Sequence, residues 1–121
     1  RIIEAVAATA NGRAVFTSCK HYPITFNNEI LTRCLRAAAE KVVGAENIHP
    51  ATRGMGGEDF SYFAAQKPGS MFRLGVRNRE KGITCGLHQD RFDVDENALE
   101  TGVNIFLQFI LDNMKGIGFN S

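Results

Sequence analysis

One histidine stands where a ligating or reactive side chain is usually placed. His88 follows a short apolar stretch, residues 83–87, that reads as a strand, and it precedes the irregular polar run Gln89-Asp90-Arg91. Ligands in α/β proteins gather at the ends of strands, so the position favours chemistry. A neutral imidazole there is a suitable donor for zinc, manganese or a similar divalent ion. The same position also suits a surface histidine held by a backbone carbonyl, and local pattern leaves both readings open. Cys85 lies three residues earlier, which makes half of a Cys-x-x-His pair. A closed structural zinc site needs four donors, and no second pair stands at a suitable spacing, so Cys85 reads as a buried strand residue.

A second candidate is the run Gly56-Gly57-Glu58-Asp59-Phe60, placed between an expected strand and an expected helix. Two glycines allow close approach of the backbone to a ligand, and free N–H groups at a helix start favour an anion such as a carboxylate. Glu58 and Asp59 also suit the positive end of a helix with no further role. The loop lacks the Lys-Ser/Thr of a phosphate-binding loop and the spacing of a dinucleotide fingerprint, which argues against nucleotide binding. Asp93, Asp95 and Glu96 match only the start of a calcium loop and read better as the beginning of a helix. His21 is expected to face water, and His49, before Pro50, to be structural.

These residues need a scaffold, and its elements are legible in outline. Ile2, Ile3, Val6, Ala7 and Ala10 recur at helical spacing, with Asn11-Gly12 as a stop. Residues 14–26 read as extended, with Pro23 marking an edge or bend. Asn27 or Asn28 can cap a helix whose apolar positions are Leu31, Cys34, Leu35, Ala38 and Val42, closed by Gly44. A short strand is expected at 47–51 and a short helix at 58–66. Phe72, Leu74 and Val76 alternate with Met71, Arg73 and Gly75, as in a strand with one packed face. After a charged turn at 77–82, Asp93 and Glu96 resemble a capping box. Leu99, Gly102, Val103, Phe106 and Ile110 then form the expected buried stripe of a last helix, which ends near Lys115-Gly116. The alternation predicts an α/β domain with a mixed sheet flanked by helices.

Composition narrows the function classes. Fourteen basic and thirteen acidic residues give a net charge of +1 without a basic block, so nucleic acid is not an expected partner. The longest apolar-rich stretch, 103–111, contains Asn104 and Gln108 and is too short for a bilayer, so no membrane partner is expected. Three widely spaced cysteines, Cys19, Cys34 and Cys85, suggest reduced thiols and a cytoplasmic protein. The chain starts on Arg1 inside a helical pattern, which suggests a part of a longer protein.

Taken in order, several motifs resemble the metal-dependent amidohydrolases that include hippurate hydrolase and indoleacetyl-amino-acid hydrolase. Residues 22–28, Tyr-Pro-Ile-Thr-Phe-Asn-Asn, are similar to that family's Tyr-Pro-Pro-Thr-Val-Asn-Asp. Residues 55–63, Met-Gly-Gly-Glu-Asp-Phe-Ser-Tyr-Phe, match its motif throughout. Leu74-Gly75-Val76, Leu87-His88, Phe92-Asp93-Val94-Asp95-Glu96 and Ala98-Leu99 fit further segments in the right order.

The resemblance implies a two-domain enzyme of roughly three times this length. By that analogy residues 1–23 are the end of an inserted α/β lid domain of the dimerisation type, and residues 24–121 are the C-terminal part of the catalytic domain. His88 matches the last metal ligand of a two-metal site holding Zn, Mn, Co or Ni. Gly56 and Gly57 would border the substrate cleft, and Glu58 would either orient a metal ligand or cap the helix. The remaining ligands and the catalytic glutamate belong to the family's N-terminal portion, so no catalytic residue is expected in this chain and the chain alone should be inactive. The implied reaction is hydrolysis of the amide bond of N-acyl amino acids or dipeptides, as in an aminoacylase or carboxypeptidase, by a protein that could form a homodimer. The other reading is a non-catalytic relic or binding module that keeps the fold. Gln89 and Asp90 replace the family's usual second histidine and proline after the metal histidine, which puts loop geometry and substrate choice in question.

Overall fold

Asn28 starts the best-formed helix. The computed structural model describes residues 1–19 and 22–117, and within it the helices are α1 (Ile2–Thr9), α2 (Glu29–Val43), α3 (Phe60–Gln66) and α4 (Asn97–Asp112). The side chain of Asn28, in extended backbone conformation, accepts from the N–H of Leu31 at 3.1 Å. That satisfies one of the orphan donors at the start of α2. Gly44 ends the helix at φ 81°, in a left-handed region that glycine enters without strain. A 3₁₀ turn (Ala45–Asn47) leads away from it.

Helices α2 and α4 pack against each other and make the core. Leu35 and Ala38 from α2 and Ile105 from α4 are its buried apolar side chains among the described residues. Lys41 and Asp112 join the far ends of the pair with an ion pair of 2.6 Å. The face that α4 turns inward carries Ala98, Thr101, Gly102, Ile105, Gln108 and Phe109, all buried or half-buried. The sequence instead predicts Leu99, Gly102, Val103, Phe106 and Ile110. Of these only Gly102 is buried, and the other four are 56–59% exposed. The stripe was ambiguous because apolar residues cover well over half of α4's circumference, with Asn97, Glu100, Thr101, Asn104, Gln108 and Asp112 on the remainder. The helix carries two charged residues, Glu100 and Asp112, in sixteen. Two apolar stripes coexist on such a helix, and α2 covers one.

The start of α4 is also built differently from the expectation. Asp93 only accepts from the neighbouring Val94 N–H, and Glu96 makes no side-chain cap. Asp95 does the anchoring. Its N–H donates to the Val76 carbonyl at 2.9 Å, and its carboxylate accepts from Asn78 Nδ2 at 2.6 Å, Lys81 Nζ at 2.6 Å and Asn97 N–H at 3.3 Å. A capping box reaches only along its own helix. Asp95 instead reaches a separate turn, which gives it more partners.

Those bonds, Asn78 first and then Lys81, hold the Asp95 carboxyl below its ordinary value. The bond from Lys41 does the same for Asp112. A lowered carboxyl stabilises the fold above its unfolded value, near 3.8, and loses that contribution as pH falls through the lowered folded value. The melting temperature should therefore hold down to about pH 4 and fall below it. Substituting both aspartates by asparagine should flatten that acid limb in a pH series of thermal melts. An unchanged acid limb would remove these two carboxylates from the explanation.

Strand structure is where expectation and fold part. Among the described residues the β pairing is a single antiparallel bridge, Asn78 with Ile83, closed by N–H···O bonds of 3.0 and 2.8 Å. Gly82 at φ 74° turns that hairpin, and the Asn78 side chain accepts from the N–H groups of Glu80 and Lys81. Residues 72–77 show the predicted alternation, whereas Met71, expected on the open face, is half-buried. Phe72, Leu74 and Val76 are half-buried, whereas Arg73, Gly75 and Arg77 are exposed. Phe72 lies 5.5 Å from the Phe106 ring, centre to centre, and Leu74 lies over Gly102. The segments at 14–19, 22–26, 48–51 and 83–86 likewise form no ladder. The described chain is thus mostly helical with little strand, because each stretch of strand-like pattern lacks a neighbour to pair with. No helix in it is long and apolar enough to cross a membrane.

Candidate functional site

The two glycines at the head of α3 serve different ends. A Cβ on Gly57 would sit 2.7 Å from Cδ2 of Tyr22, whereas one on Gly56 would meet nothing within 4 Å. Gly57 is therefore the seat of the Tyr22 ring, and Gly56 is open to approach from outside. Tyr22 also lies 5.8 Å from Tyr62 of α3, centre to centre, at a tilted angle. The segment starting at residue 22 and the glycine loop thus share one local structure.

Glu58 secures the loop to the helix. Its Oε1 accepts from the Phe60 N–H at 3.2 Å, and its carbonyl accepts from the Ser61 N–H at 3.2 Å and Oγ at 2.6 Å. Ser61 is fully buried, so its hydroxyl needs that partner. The capping role foreseen for Glu58 is present. Asp59, the neighbouring acid, makes no side-chain cap.

Asn27 was read as a candidate cap and does something else. Its Nδ2 donates to the Met71 carbonyl at 2.8 Å, and its Oδ1 accepts from the Met71 N–H at 2.9 Å. The carboxamide pairs with the backbone of residue 71 as a second peptide group would. The N–H of Asn28 donates to the Gly69 carbonyl at 2.8 Å alongside it. Two adjacent asparagines were the available signal, since only one of them can cap a helix.

Gly57→Ala gives a direct check on the Tyr22 seat. The chain has two tyrosines and no tryptophan, so its near-ultraviolet dichroism reports largely on the Tyr22–Tyr62 pair. The added methyl should displace Tyr22 and weaken that signal while the far-ultraviolet helix signal stays. Gly56→Ala should leave both signals as they are. Equal effects from the two substitutions would refute the assignment.

His88 sits in a tight turn of its own. Its φ is 65°, a left-handed conformation in which a residue with a Cβ is strained. Gln89 pins the turn: its Oε1 accepts from the Gly86 N–H at 2.7 Å, and its carbonyl accepts from the Phe92 N–H at 3.1 Å. Residues 87–92 are exposed, His88 included. Gln89 escaped the sequence reading, which treated it only as a departure from the family.

The donor set bears on whether a metal fits. His88 offers one imidazole, and among the described residues no group of three His, Cys, Asp or Glu side chains comes together. Cys85 is half-buried and, like Cys19 and Cys34, forms no disulfide. Among the described residues there is thus no complete metal site. His21 lies outside the described residues, and His49 is exposed beside Pro50.

Comparison with known proteins agrees with the motif reading. The chain is 38% identical over 79% of its length to a putative glutamate–cysteine ligase 2-3 from Rhodococcus jostii, though the match covers 12% of that protein. It is 37% identical over 67% of its length to thermostable carboxypeptidase 2 from Saccharolobus solfataricus, covering 20% of it. It is 30% identical over 69% of its length to IAA-amino acid hydrolase ILR1-like 6 from Arabidopsis thaliana, covering 18% of it. The chain thus spans between about an eighth and a fifth of the length of these relatives. No solved structure matches it. The profile of peptidase family M20/M25/M40 matches residues 13–112, and the chain belongs to that family.

Proposed function

We propose that the intact protein hydrolyses the amide bond of N-acyl amino acids, using a pair of divalent metal ions of which His88 holds one. The observation that carries this reading is the unbroken motif at residues 55–63 together with His88 at its proper place beyond it, in a strained and accessible turn. The names of the relatives support the reaction class: one is a carboxypeptidase and another an IAA-amino acid hydrolase. Residues 1–23 would belong to the end of a lid domain and residues 24–121 to the catalytic domain, within a cytoplasmic protein that acts on a small substrate and could pair as a homodimer.

A divalent ion, when bound, supplies Lewis acidity toward the amide carbonyl and lowers the pKa of water. This chain's residues would position the reactants. His88 would offer a ring nitrogen to the ion, and the Gln89 side chain fixes the turn that presents it. Gly56 leaves room for substrate beside the cleft, while Tyr22 on Gly57 forms a wall. Glu58, tied to the head of α3, would hold that loop still.

The test is hydrolysis of a panel of N-acyl amino acids by the full-length protein, with and without added manganese or zinc. Metal-dependent turnover is expected, with best substrates that carry a free carboxylate. A folded protein that turns over none of the panel with any metal would favour the non-catalytic reading.

A further inference from the structure

His88 rides on a loop that is tied to the rest of the fold at its two ends. Within residues 84–94 the hydrogen bonds are local: Gly86 N–H to Gln89 Oε1, Phe92 N–H to the Gln89 carbonyl, and Val94 N–H to Asp93 Oδ1. Among the described residues no hydrogen bond joins any of them to another part of the chain. Cys85, Gly86 and Val94 are half-buried, and the others are exposed. The base of the loop is therefore packed, and the tip that carries His88 is not.

Both ends of this loop meet at one residue. At the entry, Asn78 and Ile83 exchange backbone N–H···O bonds of 3.0 and 2.8 Å. At the exit, Asn78 Nδ2 donates to Asp95 Oδ2 at 2.6 Å, beside the bond from Asp95 N–H to the Val76 carbonyl. Asn78 Oδ1 meanwhile accepts from the N–H groups of Glu80 and Lys81 at 3.0 and 3.2 Å. Lys81 Nζ completes the ring by donating to Asp95 Oδ1 at 2.6 Å. Every polar atom of Asn78 is thus engaged, and the Asp95 side chain is only 13% exposed. A non-glycine residue at φ 65° keeps that conformation only where its surroundings fix it. With no bond reaching the turn from outside, the closed ends are what keep residues 84–94 from spreading.

We propose that Asn78 and Asp95 are positioning residues for His88: the bond between their side chains clasps the two ends of the 84–94 loop and so holds the turn that presents the imidazole. Asn78 suits the task because a carboxamide offers a donor and an acceptor at once. Its oxygen shapes the 78–83 turn while its nitrogen reaches Asp95. An aspartate at position 78 could do the first and not the second. The consequence for a bound metal rests on the proposed role of His88, whereas the clasp itself does not.

Reversing the pair in the full-length protein tests the proposal. Asn78→Asp keeps the acceptor for Glu80 and Lys81 but sets two carboxylates against each other. Adding Asp95→Asn reverses the pair: the new amide at 95 donates to the new carboxylate at 78, and its oxygen still accepts from Lys81. Hydrogen exchange on the metal-free protein reads the loop. The amides of Gly86 and Phe92 should exchange about tenfold faster in Asn78→Asp and return to within about threefold of the wild type in the reversed pair. Amides of α2 should not change in either. The dissociation constant for manganese, measured by chelator competition, should rise about tenfold in Asn78→Asp and recover with the reversal. Unchanged exchange at Gly86 and Phe92, an equal loss of protection in α2, or no recovery in the reversed pair would overturn the clasp. A loop that opens with manganese affinity unaltered would leave the clasp standing and refute His88 as a ligand, so the two readings fail separately. Should Asn78→Asp not fold, Lys81→Met removes only the bond on the exposed side of the clasp. It should speed exchange at Gly86 and Phe92 by about twofold, and no change there would overturn the proposal.

Discussion

Ile105→Ala is expected to destabilise the chain by about 2–5 kcal/mol, enough to unfold it. Ile105 is 4% exposed and, with Leu35 and Ala38, makes up the buried apolar side chains of the packed α2–α4 pair among the described residues. Removing three methyl and methylene groups there loses their transfer energy and leaves a cavity. An ordinary domain keeps only about 5–15 kcal/mol in hand, and one with so small a core lies at or below the bottom of that range. Val103→Ala on the same helix is the control. Val103 is 56% exposed, so its truncation should change stability by less than about 0.5 kcal/mol. Urea unfolding followed by helix dichroism compares the two. Similar losses at both positions would mean that α4 lies on α2 by a different face.

That contrast explains which parts of the fold were legible in the residues. Helix α2 was readable because its signals agree: an asparagine cap, one apolar stripe and a closing glycine. The inward face of α4 was not, since periodicity locates a face only when the opposite face is polar. The strands were readable as pattern and absent as pairing. Alternation of Phe72, Leu74 and Val76 is a property of residues 71–77 alone, and it came out as expected against α4. A ladder is a property of two segments, and the second is not found among the described residues. Asp95 shows the same limit on a smaller scale. Its neighbours in sequence suggested a cap, and its partners Asn78 and Lys81 became evident only once the turn at 78–83 was in place.

The candidate site divides along similar lines. Gly56, Gly57 and Glu58 were singled out from types and spacing, and the structure gives them an open position, a ring seat and a bond to the head of α3. Sequence could not make that separation, because two glycines in a row look alike until Tyr22 is brought to one of them from 35 residues away. His88 was singled out from its address at the end of a strand-like stretch. Its conformation was hidden, since nothing in Leu87-His88-Gln89 requires a positive φ. The bond from Gly86 to the Gln89 side chain supplies that requirement.

Substitution of His88 by alanine and by glycine separates the imidazole from the turn that presents it. At φ 65° a residue with a Cβ carries strain of about 1–2 kcal/mol, which glycine does not. His88→Ala removes the ring and keeps the strain. His88→Gly removes both, and the bonds that pin the turn, Gly86 to Gln89 and Phe92 to Gln89, do not depend on either side chain. The glycine variant of the full-length protein should therefore melt at least as high as the wild type, and higher than the alanine variant. Both should lose metal-dependent hydrolysis of N-acyl amino acids by more than about 100-fold, because losing even a group that only orients a ligand costs 10- to 100-fold. Metal content measured on the purified proteins should fall with the activity. Retained turnover and metal in the glycine variant would show that the imidazole binds nothing essential. Equal melting of the two variants would show that the turn, not the residue, sets the backbone there. The remaining pattern, a more stable protein that has lost its metal and its activity, is the one expected of a strained turn kept for the sake of its ligand.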